Sequence, residues 1–193
     1  MNQIAIAAEL AACGWSVSLL GVSRELCDVL CVAALAADAA GAMSPASIGR
    51  GFETLQDATI RGDRIQWLAV TPPWLEELRQ SLNRELFLGL QEFEGHLAIY
   101  PAGAGYERHS DRHRSGSRRI VSVVLYLNNE WQDEWGGMLN LFPLGDSEQA
   151  LAIVRPEMGT LVVFMSAEIP HSVAPTLANR LSLSGWFLGP WSA

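Results

Sequence analysis

Three residues have types and spacing suited to holding a metal ion: His109, Asp111 and His171. In the triplet His109-Ser110-Asp111, an extended backbone turns residues i and i+2 to one face, so an imidazole nitrogen and a carboxylate oxygen can reach one ion. His171, in the run Pro170-His171-Ser172-Val173, supplies a second nitrogen from a distant strand. Two histidines and one carboxylate fill one face of an octahedron and leave the opposite positions open. Non-haem iron(II) uses this donor set when a bidentate cosubstrate and dioxygen must both reach it. The triplet alone carries little weight, since a His and an Asp two apart also occur at solvated strand ends. His96 reads as a satisfied or surface residue, and His113 as a solvated one in an Arg-rich loop.

Arg180 lies nine residues after His171, between strand-like flanks that would bury it. A buried guanidinium requires an anion. No carboxylate side chain follows Glu168 in the sequence, so the partner is either a distant Asp or Glu or a bound dicarboxylate gripped as a fork.

The elements that must position these groups fall into two parts of one domain, 1–93 and 94–193. Residues 2–12 read as a helix that stops at Gly14, and 15–20 alternate as a strand. Ser23 can cap a second helix with the apolar face Leu26, Leu30, Ala33 and Ala37, ending at Gly41. Residues 42–72 lack periodicity and read as a long loop or loose hairpin, of the kind that often serves function. Pro72 and Pro73 suit the start of a third helix, with Leu75, Leu78, Leu82, Leu86, Leu90 and Phe93 on its apolar face. Strand-like runs then follow at 96–100, 119–127, 137–142, 150–154, 160–165, 171–174 and 180–188. Many short strands of this kind imply a sandwich or a jelly roll, and the expected fold class is mainly β (α+β), a double-stranded β-helix (jelly-roll) core with N-terminal supporting helices over one sheet.

Composition narrows the function classes. With 49% hydrophobic and 18% charged residues among 193, the chain has material for a packed core. A net charge of −8 argues against nucleic acid as a partner. The one basic cluster is Arg108, Arg112, Arg114, Arg118 and Arg119. No run of 18 uncharged apolar residues suits a membrane span, and Glu9 and the lack of a basic start favour an amphipathic helix over a signal peptide. Cys13, Cys27 and Cys31 are too few and uneven for a disulfide framework; they read as buried small residues in a reduced, cytoplasmic protein.

The run Tyr100 to Asp111, then Val123-Val124-Leu125-Tyr126-Leu127-Asn128, Trp135 to Phe142, Pro170 to Val173 and Arg180 to Trp186, resembles the prolyl 4-hydroxylase-like branch of the Fe(II)/2-oxoglutarate-dependent oxygenases. It is similar above all to the oxygen-sensing prolyl hydroxylases and their bacterial counterparts. These motifs span about residues 96–188; the N-terminal half is similar in layout only. The resemblance implies that His109, Asp111 and His171 are the iron ligands. It implies that Arg180 and Tyr126 bind the distal carboxylate of 2-oxoglutarate, that Tyr100 lies beside its chelating end and that Ser184 supports it. It places Arg119 and Trp186 where a peptide substrate lies, and 42–72 where a loop closes over that peptide, with Arg50, Arg61 and Arg64 able to meet acidic or carbonyl groups.

The implied reaction hydroxylates a prolyl residue in a protein or peptide, using iron(II), 2-oxoglutarate and dioxygen, with ascorbate as reductant and succinate and carbon dioxide as coproducts. Elongation factor Tu is the substrate suggested by the bacterial counterparts. Asp111 speaks for hydroxylation, because related halogenases lack this carboxylate. Hydroxylation of a free amino acid or small metabolite and a non-catalytic metal-binding jelly roll are the alternatives. Nucleic-acid demethylation fits less well, since that branch carries a second arginine six residues past the first and position 186 is Trp.

Overall fold

The computed structural model describes residues 2–47, 55–112 and 117–191. Arg50, His113 and Arg114, singled out above, lie outside the described residues. Among the described residues three helices, α1 (Gln3–Cys13), α2 (Arg24–Ala39) and α3 (Pro73–Leu86), accompany eleven strands. The strands are β1 (Trp15–Ser18), β2 (Ser44–Pro45), β3 (Arg64–Trp67), β4 (Glu92–Tyr100), β5 (Tyr106–His109), β6 (Arg119–Tyr126), β7 (Leu139–Leu141), β8 (Ala152–Val154), β9 (Leu161–Met165), β10 (His171–Val173) and β11 (Arg180–Leu188).

Alternation along the strands decides the layering. β4 turns Leu97 and Ile99 outward to the helices, where they join Ile6, Leu30, Leu75, Leu78 and Leu82. It turns Ala98 and Tyr100 inward, against Leu139, Leu141, Val173 and Phe164. The larger sheet runs β1-β9-β6-β11-β4-β3-β2 and the smaller β5-β10-β7-β8. β11 is buried along nearly its whole length, since helices cover one face and the smaller sheet the other. This is the two-layer, mainly β jelly roll with helical support that the sequence implies.

Some boundaries and faces differ from expectation. The buried face of α2 is Cys27, Leu30, Ala34 and Ala37, so the stripe is rotated from the Leu26 and Ala33 phase; Ala33 is exposed. α3 ends at Leu86 because Phe87 turns to the left-handed region, at φ 54°. Asn83 then ties down the following turn through both the N–H and the C=O of Leu90, and Phe93 belongs to β4. Of the two readings of 42–72, the hairpin holds: β2 pairs antiparallel with β3, and β3 joins the large sheet beside β4. Cys27 is buried as expected, whereas Cys13 is exposed. Among the described residues no helix is long and apolar enough to cross a membrane.

Candidate active site

The smaller sheet brings the histidines together. β5 and β10 pair antiparallel with His109 directly opposite His171, and the two rings lie 4.3 Å apart. Asp111 sits just past the end of β5, in a bend rather than an extended strand, but reaches the same point. Its Oδ1 is 3.7 Å from His109 Nε2 and its Oδ2 is 3.6 Å from His171 Nε2. His109 Nδ1 faces Glu107 O at 2.8 Å, and His171 Nδ1 faces Ile169 O at 3.2 Å. A donating Nδ1–H on each ring leaves both Nε2 lone pairs toward Asp111, the tautomer a metal ligand needs. Tyr106 stacks on His109 at 3.6 Å and Phe164 packs edge-on against His171 at 4.7 Å, which fixes both ring planes.

Protonation also fits a cation. Burial and the neighbouring His171 push His109 down to about 3, against the pull of Asp111, so its imidazole is neutral at neutral pH. Burial pushes the Asp111 carboxyl up, but His171 and His109, with hydrogen bonds from Ser122 and Trp186, more than offset it and hold it near 2. Two imidazole nitrogens and one carboxylate oxygen lie within 4.8 Å of one another. That suits a divalent ion.

At the far end of the cavity stands Arg180, 1% exposed. Its Nε donates to Gly137 O at 2.7 Å and its Nη2 to Tyr126 Oη at 3.1 Å. The guanidinium lies over the rings of Tyr126 and Tyr100, at 4.8 and 5.2 Å. Among the described residues no carboxylate side chain pairs with it. Burial raises the pKa of both tyrosines, so their hydroxyls stay protonated.

The other expected residues line the same cavity or its rim. Ser184 bonds Ser182 at 3.2 Å on the inner face of β11. Trp186 lies two residues further along, 6% exposed, with the Arg119 guanidinium stacked 3.4 Å above its ring. Arg119 also pairs with Glu94 at 2.9 Å. The inner cavity is narrow, about 70 Å³, and beside it runs a groove of about 940 Å³ that includes Trp67, Glu92, Arg118 and Trp191. Arg61 and Arg64 are both engaged, by Asp63 and Asp38. The basic cluster is dispersed: Arg108 binds the carbonyls of Pro143, Gly145 and Ser147, while Arg118 pairs with Glu92 and Arg119 with Glu94.

Sequence reasoning missed two residues. Ser122 donates to Asp111, and its signal was the period of two that separates it from Val124 and Tyr126 on one face. His96 is neither on the surface nor, among the described residues, satisfied: it is 2% exposed, lines the cavity, and its buried Nδ1 has no partner there. Its spacing of four from Tyr100 along β4 already placed both on one face.

The chain is similar to known proteins. The family described as the 2OG-Fe(II) oxygenase superfamily matches residues 95–188. Egl nine homolog 1 of Homo sapiens is 34% identical over 143 residues, covering 66% of this chain and 33% of the relative. Prolyl hydroxylase EGLN3 of Homo sapiens is 31% identical over 143 residues, 66% of this chain and 59% of the relative. The chain thus spans about a third of the first relative's length and under two thirds of the second's. A solved Pseudomonas putida prolyl-4-hydroxylase is 40% identical, covers 97% of this chain and 99% of its own, and superposes with a TM-score of 0.85. A Trichoplax adhaerens prolyl hydroxylase, solved with a hypoxia inducible factor oxygen degradation domain peptide, is 26% identical over 96% of this chain and 88% of its own, with a TM-score of 0.80.

Proposed function

Because the chain belongs to the 2OG-Fe(II) oxygenase superfamily, we propose that it hydroxylates a prolyl residue in a protein. In this reading His109, Asp111 and His171 hold the iron(II), Arg180, Tyr126, Tyr100 and Ser184 bind 2-oxoglutarate, and Arg119 and Trp186 meet the peptide. The observation that carries it is the buried Arg180, without a carboxylate partner among the described residues, in one cavity with His109, Asp111 and His171. A dicarboxylate with one end on Arg180 and the other toward the triad meets both needs.

The residues divide the work. Arg180 grips the distal carboxylate, and Tyr126, which accepts from Arg180, keeps its own O–H to donate to that carboxylate. Tyr100 walls the cavity under the guanidinium. The Nδ1–H groups of His109 and His171 stay on backbone carbonyls, and Ser122 holds one oxygen of Asp111, so the open side of the triad faces the cavity. When bound, iron(II) with 2-oxoglutarate and dioxygen supplies the oxidising chemistry, yielding succinate, carbon dioxide and one oxygen atom inserted into a C–H bond. Trp186, Val124 and Leu139 exclude water from the reacting end.

The wide groove favours a peptide over a free metabolite, since exposed Trp67 and Trp191 flank it and would be idle around a small molecule. Prolyl specificity rests on similarity to the Pseudomonas putida and Trichoplax adhaerens proteins. Elongation factor Tu is the first protein to test. A reducing cytoplasm suits the three free cysteines, with ascorbate as reductant. The test is incubation of the iron-loaded protein with 2-oxoglutarate, ascorbate and a proteome extract, followed by mass spectrometry. Gain of one oxygen on prolyl residues is the expected result; oxidation confined to other residues or to free metabolites overturns the prolyl assignment.

A further inference from the structure

The inner face of the large sheet is a grid of in-register rows. Trp67, His96, Ser184 and Val124 form one row across β3, β4, β11 and β6. Toward the carboxylate end lie Tyr100 and Arg180; toward the mouth lie Glu94, Trp186 and Ser122. His96 therefore stands midway, and it lines both the inner cavity and the wide groove. Trp67 packs edge-on against its ring at 5.1 Å and Trp186 lies at 5.6 Å. Its Nδ1 is buried and has no hydrogen-bond partner among the described residues. An apolar side chain of this size would be cheaper to bury there, because an unpaired polar atom forfeits its hydration for nothing. A polar group kept at such a cost beside a reaction cavity is a binding contact waiting for its ligand.

We propose that His96 is a substrate-positioning residue, whose ring N–H donates a hydrogen bond to a backbone carbonyl of the bound prolyl peptide. The inference rests on the prolyl-peptide reading above and deepens it. A prolyl nitrogen carries no hydrogen, so near its target residue the peptide offers acceptors, and the protein must bring the donor. Neutral imidazole does so without adding another cation beside Arg61 and Arg119. Burial, then Arg61, push His96 down to about 4, so it is neutral at neutral pH. Position also separates it from the cosubstrate's charged end, which Arg180 and Tyr126 hold.

The experiment compares wild type, His96→Leu and His96→Gln, each iron-loaded, on the peptide whose prolyl residue the wild type oxidises in the proteome assay. His96→Leu raises the peptide KM by about tenfold, the worth of one hydrogen bond. It also lowers the yield of hydroxylated peptide per succinate formed, because a loosely held target misses its oxidation. His96→Gln, which still donates, recovers part of both. The 2-oxoglutarate Kd, measured with Mn(II), stays within about twofold, and the Tm of His96→Leu equals or exceeds that of wild type. Unchanged KM and coupling in His96→Leu overturn the inference and leave the prolyl reading intact. A fall in Tm with a matching loss of 2-oxoglutarate affinity overturns it too, by marking a structural role. A wild type that oxidises no prolyl residue ends both.

Discussion

The Ser122 hydroxyl donates to Asp111 Oδ2 at 2.7 Å, and a second hydroxyl, Ser166, stands 2.8 Å behind it. Both serines are buried, so the pair is shielded from water and holds the carboxylate in one orientation. Ser122→Ala frees that oxygen to rotate and leaves the carboxylate less well directed toward the two imidazoles. Metal affinity then falls by about 10–100-fold, as for other groups that orient a ligand. Titration calorimetry with Mn(II) measures this; an unchanged affinity contradicts the orienting role.

His109→Ala and Asp111→Ala each remove one of three donors whose atoms lie within 4.8 Å. Turnover of 2-oxoglutarate to succinate is abolished in both, while the circular dichroism of the metal-free proteins matches that of wild type. Removal of metal with a chelator abolishes wild-type turnover, and iron(II) restores it. Full turnover in either variant after metal removal and reloading disproves the assignment.

Arg180→Ala leaves a bound carboxylate unpaired in a buried site, which costs about 3–5 kcal/mol of 2-oxoglutarate affinity. Mn(II) affinity changes little, since the guanidinium touches none of the three donors. Arg180→Lys is intermediate, because a point charge cannot reproduce the planar fork or its bond to Gly137 O. Equal 2-oxoglutarate affinity in wild type and Arg180→Ala would refute this role.

Gly185 faces Gly95 across β11 and β4, with the Phe93 ring laid over the pair. A Cβ at Gly185 would stand 2.4 Å from Phe93 Cζ and 2.5 Å from Glu94 O. Because one of those atoms is backbone in a central strand, Gly185→Ala costs about 3 kcal/mol, the upper range of overpacking. Urea unfolding gives the value; a loss of a few tenths would show that β4 yields easily.

His96 adds a pH dependence with a definite sign. Burial, then Arg61, lower its folded-state pKa from 6.5 to about 4, with Arg119 acting in the same sense and Asp63 and Asp111 opposing. Between those values the unfolded chain binds a proton that the folded chain does not, so this contribution to stability is full above about 6.5 and is lost as pH falls toward 4. His96→Leu lacks the term. Its Tm advantage over wild type therefore widens across that window, and a constant gap from pH 7 to pH 4 would contradict the burial of a neutral imidazole.

The spacing His109-Ser110-Asp111, the distant His171 and the nine-residue step to Arg180 made the candidate site legible in the sequence, and the texture of short strands after Gly95 made the jelly roll legible. These signals are local: a period of two assigns faces, and donor types announce a metal, without knowledge of neighbours. Whether a polar side chain finds a partner depends instead on which strands lie side by side. Only the pairing of β4 with β3 and β11 set His96 between Trp67 and Trp186, and only the closed sheets left its Nδ1 without a partner and Arg180 without a carboxylate among the described residues. The same holds for 42–72, where β2 pairs with β3 and β3 with β4, so that neighbouring strands set them rather than any periodicity of their own. It holds too for Arg108, Arg118 and Arg119, which sit close in sequence but go to separate carbonyls and carboxylates. Sequence fixes which groups are present and which face each takes along its own strand; the tertiary fold fixes what stands opposite, because hydrogen bonds and burial are made between segments distant in the chain.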